Sequence, residues 1–266
     1  MKVEKRTFIV SGGSSGLGLA TVRSLLDGGA YVSIVDLSEP PEEVRTSPRA
    51  RFFQTDITNV DAIERTVEGT AAWANETSAP LGGVINCAGV GIAAKIISVD
   101  KTGARPPEPH SLDVWNFALN VNLTGTFNLT RLALKHLVYA PPEGEDGERG
   151  VIVMVASAAA FEGQPGQTAY SATKGALVGM TLPMARDLAR YGVRVATIAP
   201  GVFASSMTDA MNAKTQKSLK TEGIVYPQRF GKPEEFAQTV RYILDCPYVN
   251  GETIRLSGAG RLPARL

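Results

Sequence analysis

The sequence predicts one α/β domain built on a doubly wound, seven-stranded parallel sheet with helices on both faces. Two observations carry this expectation. Seven short β-rich runs alternate with helical stretches in which apolar residues recur at three- and four-residue intervals, the order expected of strand–helix–strand crossovers. The 266 residues, 44% of them hydrophobic, suffice for one large core, and no internal repeat or interdomain linker divides them.

TFIVS (7–11) opens the sheet, and SGGSSGLGLA turns the chain into a helix over 15–28. YVSIVD (31–36) and RFFQTD (51–56) are the next strands, followed by a helix over 59–74. GGVINCAG (82–89) leads to a long helix over 111–138, and GVIVMVAS (150–157) to one over 168–190. VRVATIAP (193–200), a helix over 233–244 and ETIRLSG (252–258) complete the alternation. Crossovers between successive strands imply a parallel sheet, whose two faces the helices must cover. Pro183 would ordinarily interrupt the helix it falls in, because it lacks an N–H and crowds the preceding turn. Two stretches break the rhythm. APPEGEDGERG (140–150) is polar and turn-rich, hence a mobile surface loop, whereas 203–230 is long, not clearly periodic, and placed to act as a substrate lid.

Composition excludes several classes of function. Lys and Arg number 27 against 26 Asp and Glu, so no net field draws the chain to nucleic acid or an anionic membrane, and a small molecule is the expected partner. Cys87 and Cys246 form no disulfide framework and have no second ligand at metal spacing; both thiols are expected to be buried in a reducing compartment. No apolar run approaches a membrane span, and MKVEKRTFIVSGG enters a strand too early for a signal peptide. A soluble, intracellular protein is expected. His110 and His136 belong to no motif and are expected at the surface or the core edge.

Gly12, Gly16 and Gly18 let the backbone turn sharply and approach a pyrophosphate, which then meets the amides and dipole of the helix N-terminus. The second strand ends in Asp36, placed to accept both ribose hydroxyls of an adenosine, and its charge would repel the 2′-phosphate of NADP. No Lys or Arg in SGGSSGLG or directly after Asp36 offsets that repulsion, so NAD is favoured. Asp56, with Ile57 beside it, is placed either to bond the adenine amino group or to cap the following helix. Tyr170 and Lys174 stand four positions apart on one helix face, while Ser157, Asn86 and Gly89 close strands that end at the same crevice.

Together SGGSSGLG, NCAG (86–89), NLTG (122–125), Ser157, YSATK (170–174) and PG (200–201) resemble the short-chain dehydrogenase/reductase family, in its order and over nearly the whole chain. The resemblance implies a single-domain Rossmann fold over 1–266, with Ser157, Tyr170 and Lys174 as catalytic residues and Asn122 as the fourth, holding a proton-relay water. Ser11 stands where the family usually has Thr and keeps the hydroxyl. NCAGVGIAAK (86–95), AFEGQPGQTAYSATKGALVGMTLPMARDLA (160–189) and the C-terminal RFGKPEEFA and NGETIRLSGAGR are similar to the 3-hydroxyacyl-CoA dehydrogenase type II branch, which also oxidises hydroxysteroids. That branch implies NAD contacts from Ser15, Leu17, Asp36, Asp56, Ile57, Cys87, Tyr170, Lys174, Phe203 and Ser205, to which the family motifs add Asn86, Ala88, Gly89, Pro200 and Gly201. Gln164 would lie near the substrate; Ser257 replaces an acid of the branch, and the loop at 204–226 diverges from it.

The chemistry follows from these residue types. A phenol with a pKa of about 10 is a poor base at neutral pH, and the Lys174 ammonium together with a positive nicotinamide would favour the Tyr170 phenolate. Ser157 would donate to the substrate oxygen. Ala169, Ala172, Gly175, Ala176 and Gly179 form a small-residue face that is either a contact within the subunit or, by resemblance, the interface of a homotetramer. Lys214, Lys217 and Lys220 recur every third residue in the lid, either solvated or facing coenzyme A phosphates. The expected activity is NAD-dependent oxidation of short-chain 3-hydroxyacyl-CoA, in the mitochondrial matrix or the cytoplasm. The alternatives are a hydroxysteroid or other secondary-alcohol dehydrogenase, and a non-catalytic scaffold subunit of an RNA-processing complex.

Overall fold

The computed structural model describes residues 1–100, 102–205, 208 and 223–261. Seven parallel strands form its sheet: β1 Thr7–Ser11, β2 Tyr31–Asp36, β3 Ala50–Gln54, β4 Leu81–Asn86, β7 Gly150–Val155, β8 Val193–Pro200 and β9 Thr253–Leu256. Their spatial order is β3-β2-β1-β4-β7-β8-β9. The chain winds outward from β1 in one direction and then from β4 in the other, which leaves a crevice at the carboxyl ends of those two neighbours. The expected doubly wound architecture is present.

Period-two alternation divides the strand side chains between two cores. Phe8, Val10, Ile34 and Val153 pack on one face against α1 (Gly16–Asp27) and the helix here numbered α8 (Pro233–Asp245). Ile9, Val35, Val84 and Met154 face the other way, toward α3 (Val60–Glu76), α5 (Thr126–Leu137) and α7 (Thr168–Leu188). Burying each such side chain contributes about 1.5–3 kcal/mol, enough to set which helix lies on which face. Helix α7 continues through Pro183, because packing of Leu177, Thr181 and Ala185 holds it despite the missing donor.

The long helix expected over 111–138 has a different interior. Helix α4 (Leu112–Leu119) passes through a π-helical turn at Asn120–Gly125 before α5 begins. Short helices α2 (Glu42–Arg45) and α6 (Ala159–Glu162), and a hairpin of β5 (Ile97–Ser98) with β6 (Glu108–Pro109), lie in stretches without clear periodicity.

Residues 140–150 are anchored rather than loose. Glu143 and Glu148 bridge to each other through their backbones. Glu143 accepts from Arg6 Nε at 2.9 Å, and the buried Glu148 accepts from Arg194 Nε at 2.8 Å. Arg6, just before β1, also donates to the carbonyls of Leu81, Pro141 and Arg149, and Arg194 in β8 donates to those of Ile243, Leu244 and Val249. These two arginines fasten the loops at the amino ends of the strands, and their acids explain why a polar segment is held. Cys87 and Cys246 are half-buried free thiols rather than fully buried ones, and Ala169 points into the core, not along the exposed small-residue face. Among the described residues, no helix is long and apolar enough to cross a membrane, and no cluster of three His, Cys, Asp or Glu side chains could hold a metal ion.

Candidate active site

The carboxyl ends of β1, β2, β4, β7 and β8 open into one cleft of about 740 Å³. Gly12, Ser15, Gly16, Leu17, Gly18, Asp36, Asp56, Ile57, Cys87, Ala88 and Gly89 line its nucleotide half. Ser157, Gln164, Tyr170 and Lys174 line the other end, and Pro200, Gly201, Phe203 and Ser205 also border the cleft, Ser205 beside Gly16. Asn86 and Asn122 are not in its wall, and Lys214, Lys217 and Lys220 lie outside the described residues.

The glycine turn is close-fitting. Gly12 has φ +64°, and a Cβ there would sit 2.8 Å from the Ala88 amide nitrogen; a Cβ on Gly18 would collide with the Gly12 carbonyl. Ser11 ties the turn to the end of β4, its hydroxyl accepting from Ala88 N at 3.2 Å. Asp36 accepts from the amides of Ser14 at 3.0 Å, Leu37 at 2.7 Å and Ser38 at 3.3 Å, which fix its carboxylate at the cleft edge. Asp56 does not cap α3. Asn59 does so, accepting from Ala62 N at 3.0 Å, while Asp56 Oδ1 accepts from the amide and hydroxyl of Thr58, both at 2.8 Å.

These residues fit a dinucleotide. Ser15 stands at the N-cap of α1 without a capping hydrogen bond, the buried Ser14 hydroxyl has no hydrogen-bond partner, and the first amides of a twelve-residue helix open onto the cleft. The absence of side chains on Gly12 and Gly18 lets the main chain come close.

At the other end, Ser157 Oγ accepts from Ala159 N at 3.1 Å and hydrogen-bonds the Tyr170 phenol. Lys174 is buried; its Nζ lies 5.7 Å from the centre of the Tyr170 ring and donates to the Val155 carbonyl at 2.8 Å. Burial raises the Tyr170 phenol above its ordinary range, with the Ser157 bond opposing. The chain's own groups do not by themselves favour the phenolate, since burial outweighs the Ser157 bond and Lys174 donates to a carbonyl; the expected phenolate needs the positive nicotinamide as well. Burial pushes Lys174 down to about 8, opposed by Cys87, and pushes Cys87 up to about 12.

This has a measurable consequence. Between about pH 8, where folded Lys174 is half deprotonated, and pH 9, where an unfolded Cys is half ionised, the unfolded chain binds more protons at Lys174 than the folded one. Stability contributed there rises with pH, by up to about 1.4 kcal/mol per unit. Urea unfolding at the two ends of that window should show the rise in the native chain and a flatter response in Lys174→Met; equal slopes would overturn the assignment.

Asn122 sits in the π-turn and clamps the next loop. Its Oδ1 accepts from Val90 N at 2.8 Å, and its Nδ2 donates to Val90 O at 3.0 Å and to Thr173 Oγ1 at 3.3 Å. A Cβ on Gly89 would lie 3.0 Å from Asn122 Oδ1 and 3.4 Å from Lys174 Nζ, so the three are packed together. Asn86 is buried behind the wall, donating to Thr130 Oγ1 at 3.1 Å. It holds β4 in place and does not reach the cleft.

Further wall residues were not anticipated. Val90 to Ala93, Phe117, Val121 and Gln167 border the cleft, and Gln167 Oε1 accepts from Gln164 N at 2.8 Å. Gln167 precedes Tyr170 by three positions, a spacing that places the two on one side of a helix. The apolar members carry no mark that separates them from core. His136 lies 3.0 Å from Glu68 at the α3–α5 surface and His110 at the base of the hairpin; neither lines the cleft.

Residues 6–216 match the short chain dehydrogenase family. The 3-hydroxyacyl-CoA dehydrogenase type-2 of Bos taurus is 40% identical over 257 residues, 96% of this chain and 94% of the relative. The Drosophila melanogaster protein of the same name is 41% identical over 263 residues, 98% and 99% of the two chains. The crystal structure of 3-hydroxyacyl-CoA dehydrogenase type-2 from Mycobacterium avium superposes over the full length of both chains, with a TM-score of 0.84 and 36% identity. The dinucleotide cradle, the Ser157–Tyr170–Lys174 group and these matches agree, and the chain belongs to the short-chain dehydrogenase/reductase family of oxidoreductases.

Proposed function

We propose that the chain is an NAD-dependent dehydrogenase that oxidises short-chain 3-hydroxyacyl-CoA to 3-ketoacyl-CoA, in the mitochondrial matrix or the cytoplasm. The observation that carries the reading is one cleft in which Asp36 borders the nucleotide half and Ser157, Tyr170 and Lys174 border the other. Relatives named 3-hydroxyacyl-CoA dehydrogenase type-2 support the substrate class.

A nicotinamide held in the cleft would supply the hydride acceptor. Tyr170 takes the hydroxyl proton, as a general base whose phenolate is disfavoured until positive charge enters the cleft. Ser157, already bonded to that phenol, donates to the substrate oxygen and holds the carbinol in line. Lys174, which donates to the Val155 carbonyl, would hold the ribose hydroxyls of the dinucleotide and supplies charge beside Tyr170. Asn122 keeps Val90 and Gly89 against Lys174, and the proton-relay water assigned by family resemblance belongs to this cluster. Ser15, Leu17, Asp56, Ile57, Cys87, Phe203 and Ser205 contact the dinucleotide, and Gln164 the substrate. The homotetramer follows from the family resemblance, and its small-residue face would include Gly179, which is exposed on α7. Sedimentation as a monomer would remove that reading.

An NADH-formation screen over 3-hydroxyacyl-CoA esters, hydroxysteroids and simple secondary alcohols tests the activity. The CoA esters should give the highest kcat/KM with NAD, and Asp36→Ala should shrink the preference for NAD over NADP about tenfold or more by losing a ribose contact and a repulsion together. A higher kcat/KM on the steroid would favour the hydroxysteroid reading, and native preference for NADP would overturn the role of Asp36.

A further inference from the structure

The substrate end of the cleft is bordered by α6, whose first residue, Ala159, stands two positions after Ser157, and residues 223–226 lead into the C-terminal part of the chain. The C-terminal segment from β9 to Arg261 touches both. Arg255 in β9 donates from Nη2 to Glu162 Oε1 at 2.6 Å, and Arg261 Nε lies 3.5 Å from Glu162 Oε2. The Glu162 side chain is 17% exposed, so the two cations share a carboxylate that water and salt reach poorly. Arg255 also stacks over Phe161, 4.8 Å from the ring centre, and its Nε is buried without a hydrogen-bond partner. Glu162 is thus the anion that offsets its charge.

Farther along the same segment, the Gly258 carbonyl accepts from the amides of Val225 at 3.2 Å and Tyr226 at 3.1 Å, and a side chain on Gly260 would collide with the Gly223 carbonyl. On the other side, α6 is a single turn of four residues and cannot hold its place by its own hydrogen bonds. It carries the Ala159 amide that binds Ser157 Oγ, and Gly163, directly after it, packs against Ser171 with no space for a Cβ. Ser171 follows Tyr170. Displacing α6 therefore moves the surroundings of both Ser157 and Tyr170.

We propose that Glu162 is a positioning residue whose carboxylate, shared by Arg255 and Arg261, makes the C-terminal segment a strut between α6 and residues 223–226, holding α6 in place beside Ser157 at the substrate end of the cleft. The kinetic part of the test rests on the dehydrogenase reading; the structural part does not. Glu162→Gln keeps the shape and removes the charge. The KM for the alcohol substrate should rise about tenfold, with the KM for NAD and kcat each within about threefold of native. Arg255→Met should do the same, and the double variant should be no worse than the more affected single one. Amide hydrogen exchange, followed without substrate, should become about tenfold faster at 159–163 and at 225–226 together while β4 is unchanged. Faster exchange at 159–163 alone, a uniform increase across the sheet, or additive losses in the double variant would overturn the strut. Should Glu162→Gln not fold, Arg261→Met removes the exposed end of the triad and should show the same paired pattern at about threefold; an unpaired pattern there also overturns it. If the native chain oxidises no alcohol tested, the proposed function fails and the exchange measurement still decides the strut.

Discussion

Replacing Tyr170 with Phe is expected to lower kcat for alcohol oxidation by about 10³-fold or more, while NAD affinity stays within about twofold of native. The change deletes one oxygen and leaves the ring, its packing and the α7 backbone in place. The direction of the native pH profile follows from the same group. A base must be deprotonated, and burial raises the phenol, so oxidation should accelerate as pH rises through the pKa of the cofactor complex and this limb should vanish in the variant. Steady-state rates across pH, with NAD binding followed by fluorescence, check both statements. Turnover near the native rate with normal NAD affinity would show that another group takes the proton.

Gly18→Ala should be the most damaging single-methyl change at the nucleotide end. The added Cβ would run into the Gly12 carbonyl, and neither backbone can retreat easily, because Gly12 is itself pressed against Ala88. Overpacking of this kind costs about 1–3 kcal/mol where neighbours relax, and more where the obstacle is main chain. NAD affinity is expected to fall about 100-fold or more, because relief of the clash opens the turn that faces the pyrophosphate. Calorimetry of the folded variant with NAD measures the loss. Native affinity would show that the turn yields without losing its hold on the pyrophosphate. Gly18 lies within α1 and has no positive φ, so left-handed strain does not contribute and the loss reports the collision alone.

All seven strands and five main helices were legible from periodicity, because a sheet covered on both sides constrains nearly every position in it. The π-turn was not. One extra residue within a helix leaves no distinctive composition, and Asn120–Gly125 reads as ordinary helix until its hydrogen bonds are seen. Polar motif residues disclosed their place in the cleft through spacing, as with Asp36 at the end of β2 and Ser157 after β7. Phe117 and Val121 were silent, since an apolar side chain that faces a cleft is written like one that faces a core. Asn86 shows the opposite failure: its position at the end of β4 suggested a ligand contact, but its side chain turned inward to Thr130. The segment 140–150 misled through composition. Its acids looked like solvated loop residues, and only the fold brings Arg6 and Arg194 to meet them.

Those two arginines have a consequence for how such a protein changes over generations. They fasten the amino ends of the strands, whereas every group proposed to meet cofactor or substrate stands at the carboxyl ends. Mutations that exchange one alcohol for another fall on loops the arginine pegs do not touch, so a lineage can explore new substrates without spending the contacts that keep its sheet assembled. Mutations at Arg6 or Arg194 strand buried carbonyls and acids and lower the amount of folded protein without altering what it selects. Innovation and persistence are thereby exposed to selection at opposite poles of the same strands.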